Sequence, residues 1–239
     1  MIADDTLRAL ATKQQTTELN IRREYFQHLL LSYFYQQALT DQVYFKGGTA
    51  LRMLYHSPRF SEDLDFSSAI KNTAALEEAM LETLAALARE NVEVDLEESK
   101  TTSGGYLAVV TFQARYSPVS VQLEISLRQG DKRGEAMTIV SDLVPAYTLV
   151  ALAREQLIDE KIQALLSRQK ARDFYDLYFV LRANLLPAHK KSVLRQVRKT
   201  LRQSAVNFEQ ELKQFLPKSH WAIVRDFPMS LERELERYL

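Results

Sequence analysis

The stretch KGGTALRMLYHSPRFSEDLDFS, residues 46–67, places a Gly-Gly turn shortly before two aspartates spaced for binding metal. Asp63 and Asp65 stand at i and i+2 in the apolar frame of Leu64 and Phe66, the pattern of a short strand whose alternate side chains share a face. At a rise of about 3.3 Å per residue their α-carbons would lie about 6 to 7 Å apart. Their oxygens could then converge on one Mg²⁺ or Mn²⁺, or bridge two ions about 4 Å apart. Such a pair suits phosphoryl or nucleotidyl transfer. The competing explanation is a capping or turn pair, because Ser61 and Glu62 precede them and aspartates favour such places.

Working outward, Gly47, Gly48 and Thr49 open the segment TALRMLYH, which reads as a short helix with Thr49 near its N-terminus. Backbone amides at a helix start, with the helix dipole behind them, favour phosphate oxygens. A Gly-Gly before a helix is common. Followed after the 13 residues Ala50 to Glu62 by Asp-x-Asp, it is far more specific. Ser61, Lys46, Arg52 and Arg59 are close in sequence and could touch phosphates, although a surface role explains Arg52 and Arg59 equally well.

The 239 residues suit one large domain or two small ones, and 46% hydrophobic content provides an ordinary core. The absence of cysteine excludes disulfides and thiolate metal sites. With no targeting segment and no run of about 18 apolar residues, the expectation is a soluble cytoplasmic protein with no membrane partner. The formal net charge of zero hides an asymmetry: residues 1–143 carry 14 basic and 20 acidic side chains, whereas 144–239 carry 17 and 11. Oppositely charged halves could hold a cation and attract a polyanion, or simply attract each other.

Residues 20–39 recur apolar at helical spacing, and 73–90 form another helix with Asn72 or Thr73 as cap. The period then changes: NVEVDLEE, YLAVVTFQARY, VSVQLEISLR and MTIVSDL read as strands, with YSPVS as a hairpin turn and Gly130 and Gly134 in a polar loop. From Pro145 onward the chain reads as helical. The expected class is α+β, a mixed sheet with flanking helices over residues 1–144 followed by a helical domain over 145–239.

A third carboxylate is needed to complete a two-aspartate cation site, and Glu124 in VQLEIS is the candidate, since an acidic residue central to a strand is uncommon. An exposed Glu on a half-solvated sheet is the alternative. Asp95 ranks second, because its strand also carries Glu93, Glu97 and Glu98 and looks like a solvated acidic edge. Lys161 falls on or beside the apolar stripe of Leu157, Ile158, Ile162 and Leu165, where it must snorkel or neutralise an anion such as a triphosphate. Arg172 and Asp176 are spaced for an i, i+4 pair, and either Asp173 or Asp176 could orient Lys161.

The order Gly-Gly, Asp-x-Asp, strand carboxylate resembles the nucleotidyltransferase superfamily typified by DNA polymerase β. More narrowly, KGGTALRMLY with RFSEDLDFS, then DEKIQALLSR and RDFYDLYFVL, is similar to the AbiEii family of nucleotidyltransferase toxins, over roughly residues 40–182. The resemblance implies a nucleotidyltransferase-like fold, with Gly48, Thr49, Asp63 and Asp65 holding nucleotide and metal. It also implies that Lys161 binds the triphosphate and that Asp173 is a further essential acid. Members of that family transfer a nucleotide from an NTP to a target, tRNA 3′ ends among them, and are paired with a winged-helix antitoxin. Gly-Thr stands here where many superfamily members have Gly-Ser, which keeps the hydroxyl.

On this reading Asp63, Asp65 and Glu124 hold the divalent ions, while Gly47, Gly48, Thr49, Ser61 and Lys161 hold the nucleotide. The run HKKSVLRQVRKTLRQ, residues 189–203, has six Lys or Arg and no acidic residue, a platform for an RNA backbone or a docking face for an acidic partner. Two rival functions remain: nucleotide transfer to a protein hydroxyl or small molecule, and an inactive binding module of the same fold. A glycosyltransferase Asp-x-Asp is disfavoured, since it does not need the short Gly-Gly-to-acid spacing.

Overall fold

Apolar rungs fix the register of a seven-stranded mixed sheet in the order β3-β4-β5-β2-β1-β7-β6. Its strands in the computed structural model, which describes residues 2–114, 117–128 and 130–239, are β1 (Val43–Lys46), β2 (Leu64–Ser68), β3 (Val94–Thr102), β4 (Gly105–Phe112), β5 (Val119–Ser126), β6 (Gly134–Ile139) and β7 (Tyr147–Leu152). Phe45, Phe66, Ile125 and Tyr106 sit opposite one another across β1, β2, β5 and β4, and all four are buried. Leu64, Leu123 and Ala108 form a second buried rung two residues on. A shift of one residue in any of these strands would expose an entire apolar set, so the register is strongly specified.

The chain divides into two units: Met1–His56 with Phe60–Ala153, and Ser57–Arg59 with Arg154–Leu239. In the first, helices α1 (Asp4–Lys13), α2 (Glu18–Phe34), α3 (Gly47–Tyr55) and α4 (Thr73–Arg89) accompany the sheet. Thr17 caps α2 through the amide of Asn20, and Asn72 caps α4 through that of Ala74, as the sequence suggested for Asn72. Helix α2 is buried on most sides: Phe26 stacks on Phe112 at 4.4 Å, and Phe34 meets Phe66 at 5.7 Å.

The second unit is helical: α5 (Arg154–Arg168), α6 (Ala171–Arg182), α7 (Leu194–Gln203), α8 (Phe208–Leu212), α9 (Trp221–Arg225) and α10 (Phe227–Glu236). Its centre is aromatic, with Phe227 against Phe208, Tyr175 and Tyr178 at 4.9, 5.9 and 5.5 Å.

Three expectations are corrected. Residues 147–152 are strand β7, paired parallel to β1 and antiparallel to β6, rather than helix. YTLVAL is a short apolar run whose periodicity merges with that of α5, and only its Tyr147, Thr148 and Val150 argue for a strand. Gly134 begins β6 instead of lying in a loop, and any side chain there would strike Val150 and Tyr44. The helix expected over 20–39 ends at Phe34, and residues 40–42 form a short 3₁₀ turn. β4 and β5 pair antiparallel as the hairpin reading required, although Tyr116 of its turn lies outside the described residues. Among the described residues no helix is long and apolar enough to cross a membrane.

Phe66 touches Phe34 and Phe45 at the middle of the sheet. Phe66→Ala is expected to cost about 3–5 kcal/mol, read by urea denaturation of the intact chain.

Candidate active site

The next rung of the sheet is polar: Lys46, Asp65 and Glu124 are register partners on β1, β2 and β5. Register partners on adjacent strands share a face, so the structure brings Glu124 beside Asp65, with Lys46 on the other side. Asp63 precedes the strand by one residue and lies two before Asp65. Asp63, Asp65 and Lys46 are all half-buried, whereas Glu124 is exposed.

The Gly-Gly turn reaches this rung directly. Strand β1 ends at Lys46 and α3 begins at Gly47, with no linker between them. Gly47 adopts φ 86°, and a β-carbon on it would lie 2.1 Å from Asp65 Oδ2. Only glycine can stand there, which explains one of the two glycines on steric grounds. Thr49 does not cap α3 through its side chain; its hydroxyl donates to the backbone carbonyl of Asp63 at 2.5 Å. The helix that would carry phosphate is thereby bonded to the acidic segment.

Helix α2 holds both parts from one face. Gln27, 1% exposed, donates to the carbonyls of Ser61 and Glu62 at 3.0 and 2.9 Å. Arg23 pairs with the Glu62 carboxylate at 2.9 Å. Glu24 pairs with Arg52 of α3, whose guanidinium also bonds Gln14 and lies 3.6 Å from the centre of the Phe60 ring. Arg52 is therefore an internal strut rather than a surface residue. Ser61 contributes its carbonyl to this scaffold. His28, beside the same cluster, is buried against the Tyr147 hydroxyl at 2.9 Å, and burial, with the Arg52 charge second, lowers its pKa to about 4. A cavity of about 180 Å³ lined by Gln14, Glu24, His28, Arg52 and His56 lies at the C-terminal end of α3, away from Gly47.

The donor set fits a divalent cation in chemical type: three carboxylates, two on one rung and the third two residues off it. Side-chain orientation falls short of a finished cage. Glu124 Oε1 accepts from Gln122 at 2.6 Å, and among the described residues no three His, Asp or Glu side chains converge closely enough to hold an ion. Asp95 is on the edge strand β3, exposed, and accepts from Gln113 at 2.9 Å, as its acidic neighbours suggested.

In the helical unit Lys161 is indeed buried within the apolar stripe of α5. Its ammonium bonds Asp176 at 2.6 Å, and Arg59 grips the same carboxylate through Nε and Nη2 at 2.8 and 3.0 Å. Burial works against ionisation of Asp176, yet the charges of Arg59 and then Lys161, with a hydrogen bond from each, hold its carboxyl below the usual range. The choice left open between Asp173 and Asp176 thus falls on Asp176 as the partner of Lys161. Asp173, fully buried, takes Arg168 Nε and Nη2 at 2.9 and 2.7 Å and the Lys170 amide at 3.2 Å, so it caps α6. The expected Arg172–Asp176 pair does not form: Arg172 Nε is buried with no hydrogen-bond partner.

The basic run 189–203 is a 3₁₀ turn followed by α7. Arg198 is neutralised by Glu232 and Glu236, Arg202 by Glu232, and Lys190 by Asp159, which leaves Arg195 and Lys199 as the exposed charges of α7 with no salt bridge among the described residues. The sequence did not show that α10 supplies the counter-charges, that Gln27 and Glu24 brace the acidic segment and α3, or that Arg59 pairs with Asp176. A glutamine amid the apolar residues of YFQHLLL was the only hint of Gln27.

A mixed sheet whose central rung presents acids against a strand-to-helix glycine turn defines a nucleotidyltransferase-type fold. Solved structures of that shape agree. MenT4, a nucleotidyltransferase toxin from Mycobacterium tuberculosis H37Rv, superposes with TM-score 0.64 at 18% identity, over 100% of this chain and 93% of that one. JHP933 from Helicobacter pylori gives 0.63 at 20%, over 93% and 94%, and a putative nucleotidyltransferase from H. pylori 0.60 at 20%, over 93% and 99%. No curated protein sequence matches. Residues 28–236 match the family described as nucleotidyl transferase AbiEii toxin, type IV TA system, and the chain belongs to that family. It is accordingly a nucleotidyltransferase of a type IV toxin–antitoxin system, with an NTP as substrate and an antitoxin as partner.

Gly47→Ala is expected to displace the Asp65 carboxylate and abolish NTP turnover, while the thermal midpoint falls by only a few degrees. Asp176→Asn strands Arg59 and Lys161 as buried cations, an expected loss of about 3–5 kcal/mol in chemical denaturation. Because the folded pKa of Asp176 lies below its unfolded value, its contribution is present above the ordinary carboxylate range and is lost as pH falls through the folded value. The wild type should therefore lose more stability between neutral and acid pH than the Asn variant does.

Proposed function

We propose that this nucleotidyltransferase moves a nucleotide from an NTP to the 3′ end of tRNA, using Mg²⁺ or Mn²⁺ held by Asp63, Asp65 and Glu124. The observation that supports it is the polar rung: Asp65 and Glu124 in register, with the Gly47 backbone packed on Asp65. Glu124 would turn from Gln122 to complete the carboxylate set. A bound divalent cation supplies charge neutralisation for the triphosphate and a lowered pKa for the attacking hydroxyl.

The remaining parts act through the chain itself. Amides of Gly48 and Thr49 at the start of α3 hold phosphate oxygens, assisted by the helix dipole. Lys161 offers the triphosphate N–H groups, since an ammonium has three and Asp176 engages one. Asp176 and Arg59 fix that lysine, and Asp173 fixes the helix bearing Asp176. The acceptor hydroxyl oxygen bonds to the α-phosphorus as the bond to the β-phosphate oxygen breaks. Pyrophosphate leaves, and the hydroxyl proton passes to solvent or a carboxylate. The target places the reaction in the cytoplasm, and Arg195 and Lys199 of α7 offer contacts to the RNA backbone. The antitoxin is of the winged-helix kind.

Labelled NTPs incubated with total RNA, protein and small metabolites test this reading by where the label appears. Label is expected at tRNA 3′ termini; label on protein or metabolites would replace tRNA as the acceptor. Asp65→Ala should lower transfer about 1,000-fold, equivalent to about 4 kcal/mol of barrier, and relieve growth arrest on induction. Turnover that survives this change would remove the carboxylate rung from the mechanism.

A further inference from the structure

We infer that Gln27 is a positioning residue that sets the Asp63 carboxylate relative to Asp65; this rests on the cation-binding reading of the two aspartates. They are held by different means. Asp65 lies inside the sheet, fixed by pairing with Lys46 on one side and Glu124 on the other. Asp63 stands one residue outside the ladder, whose first paired residue is Leu64. Its own carbonyl accepts from the Thr49 hydroxyl, and in the segment before it Gln27 donates its side-chain amide to consecutive carbonyls, Ser61 at 3.0 Å and Glu62 at 2.9 Å. The Gln27 side chain is buried, where an unmet hydrogen bond is costly.

Gln27 does not act alone on that segment: Thr49 holds the Asp63 carbonyl, and Gln27 holds the two carbonyls before it. Arg23, one helical turn earlier on the same face of α2, bonds the Glu62 side chain, whereas Gln27 bonds the Ser61 and Glu62 carbonyls. The α3 helix is bound to α2 separately, through Glu24 and Arg52. Loss of the Gln27 amide should therefore loosen Asp63 while leaving the Gly-Gly turn in place. Misplacement of about 1 Å at a reacting centre can cost about a hundredfold in rate.

The test compares wild type, Gln27→Met, Gln27→Asn and Asp65→Ala as full-length chains. Mn²⁺ binding is followed by electron paramagnetic resonance without NTP, and kcat and KM for NTP and thermal unfolding are measured alongside. Gln27→Met keeps the length and removes the donors; its Mn²⁺ dissociation constant is expected to rise about tenfold. Its kcat should fall about 10- to 100-fold with KM for NTP within about twofold of wild type. Gln27→Asn, with the amide one methylene short, should shift the same way. Mn²⁺ binding and kcat equal to wild type in both variants would overturn the inference, as would failure of both to fold, which would make Gln27 purely structural. Asp65→Ala that binds Mn²⁺ and turns over like wild type would overturn the proposed function itself. An inert Asp65→Ala beside an unaffected Gln27→Met would overturn the positioning role alone.

Discussion

The contact on which the site depends is steric: the α-carbon of Gly47 lies so near the Asp65 carboxylate that a methyl group would overlap its oxygen. Everything local follows from making that approach possible. The strand ends and the helix begins at adjacent residues, the turn takes a positive φ, and the carboxylate is packed against the Gly47 backbone. A free helix start attracts any anion. On the proposed reading, one with carboxylates beside it would admit a triphosphate together with a cation that offsets the repulsion between the two negative groups.

Each unit is held by internal charges rather than by apolar packing alone. Glu24 with Arg52 joins two helices of the first unit, and Asp176 with Arg59 and Lys161 forms the charged centre of the second. Buried ion pairs seldom add net stability over apolar residues of equal size, but they tolerate few alternative arrangements. In an enzyme that must aim several groups at one phosphorus atom, geometric definition is the more useful property. Asp173 serves the same end by fixing the first turn of the helix that carries Asp176.

Local pattern made much of this legible. The Gly-Gly turn, the aspartate pair, Glu124 in its strand and the burial of Lys161 each followed from spacing and periodicity. What escaped reading were partners distant in sequence. Gln27 reaches residues 34 and 35 positions away, Arg59 reaches Asp176 across 117, and Arg198 and Arg202 of α7 are answered by glutamates 30 to 38 residues later. A polar residue inside an apolar helix signals an unseen partner but not its identity. Strand β7 escaped for a different reason, since six apolar-rich residues running straight into a helix carry no periodicity of their own.

The seamless passage from Lys46 into α3 leaves this part of the gene no slack in length. One codon gained or lost between residues 46 and 48 would rotate the helix by about 100° and carry Thr49 off the Asp63 carbonyl to which it is bonded. Divergence within such a lineage is thereby channelled into amino-acid exchange here, and into changes of chain length elsewhere.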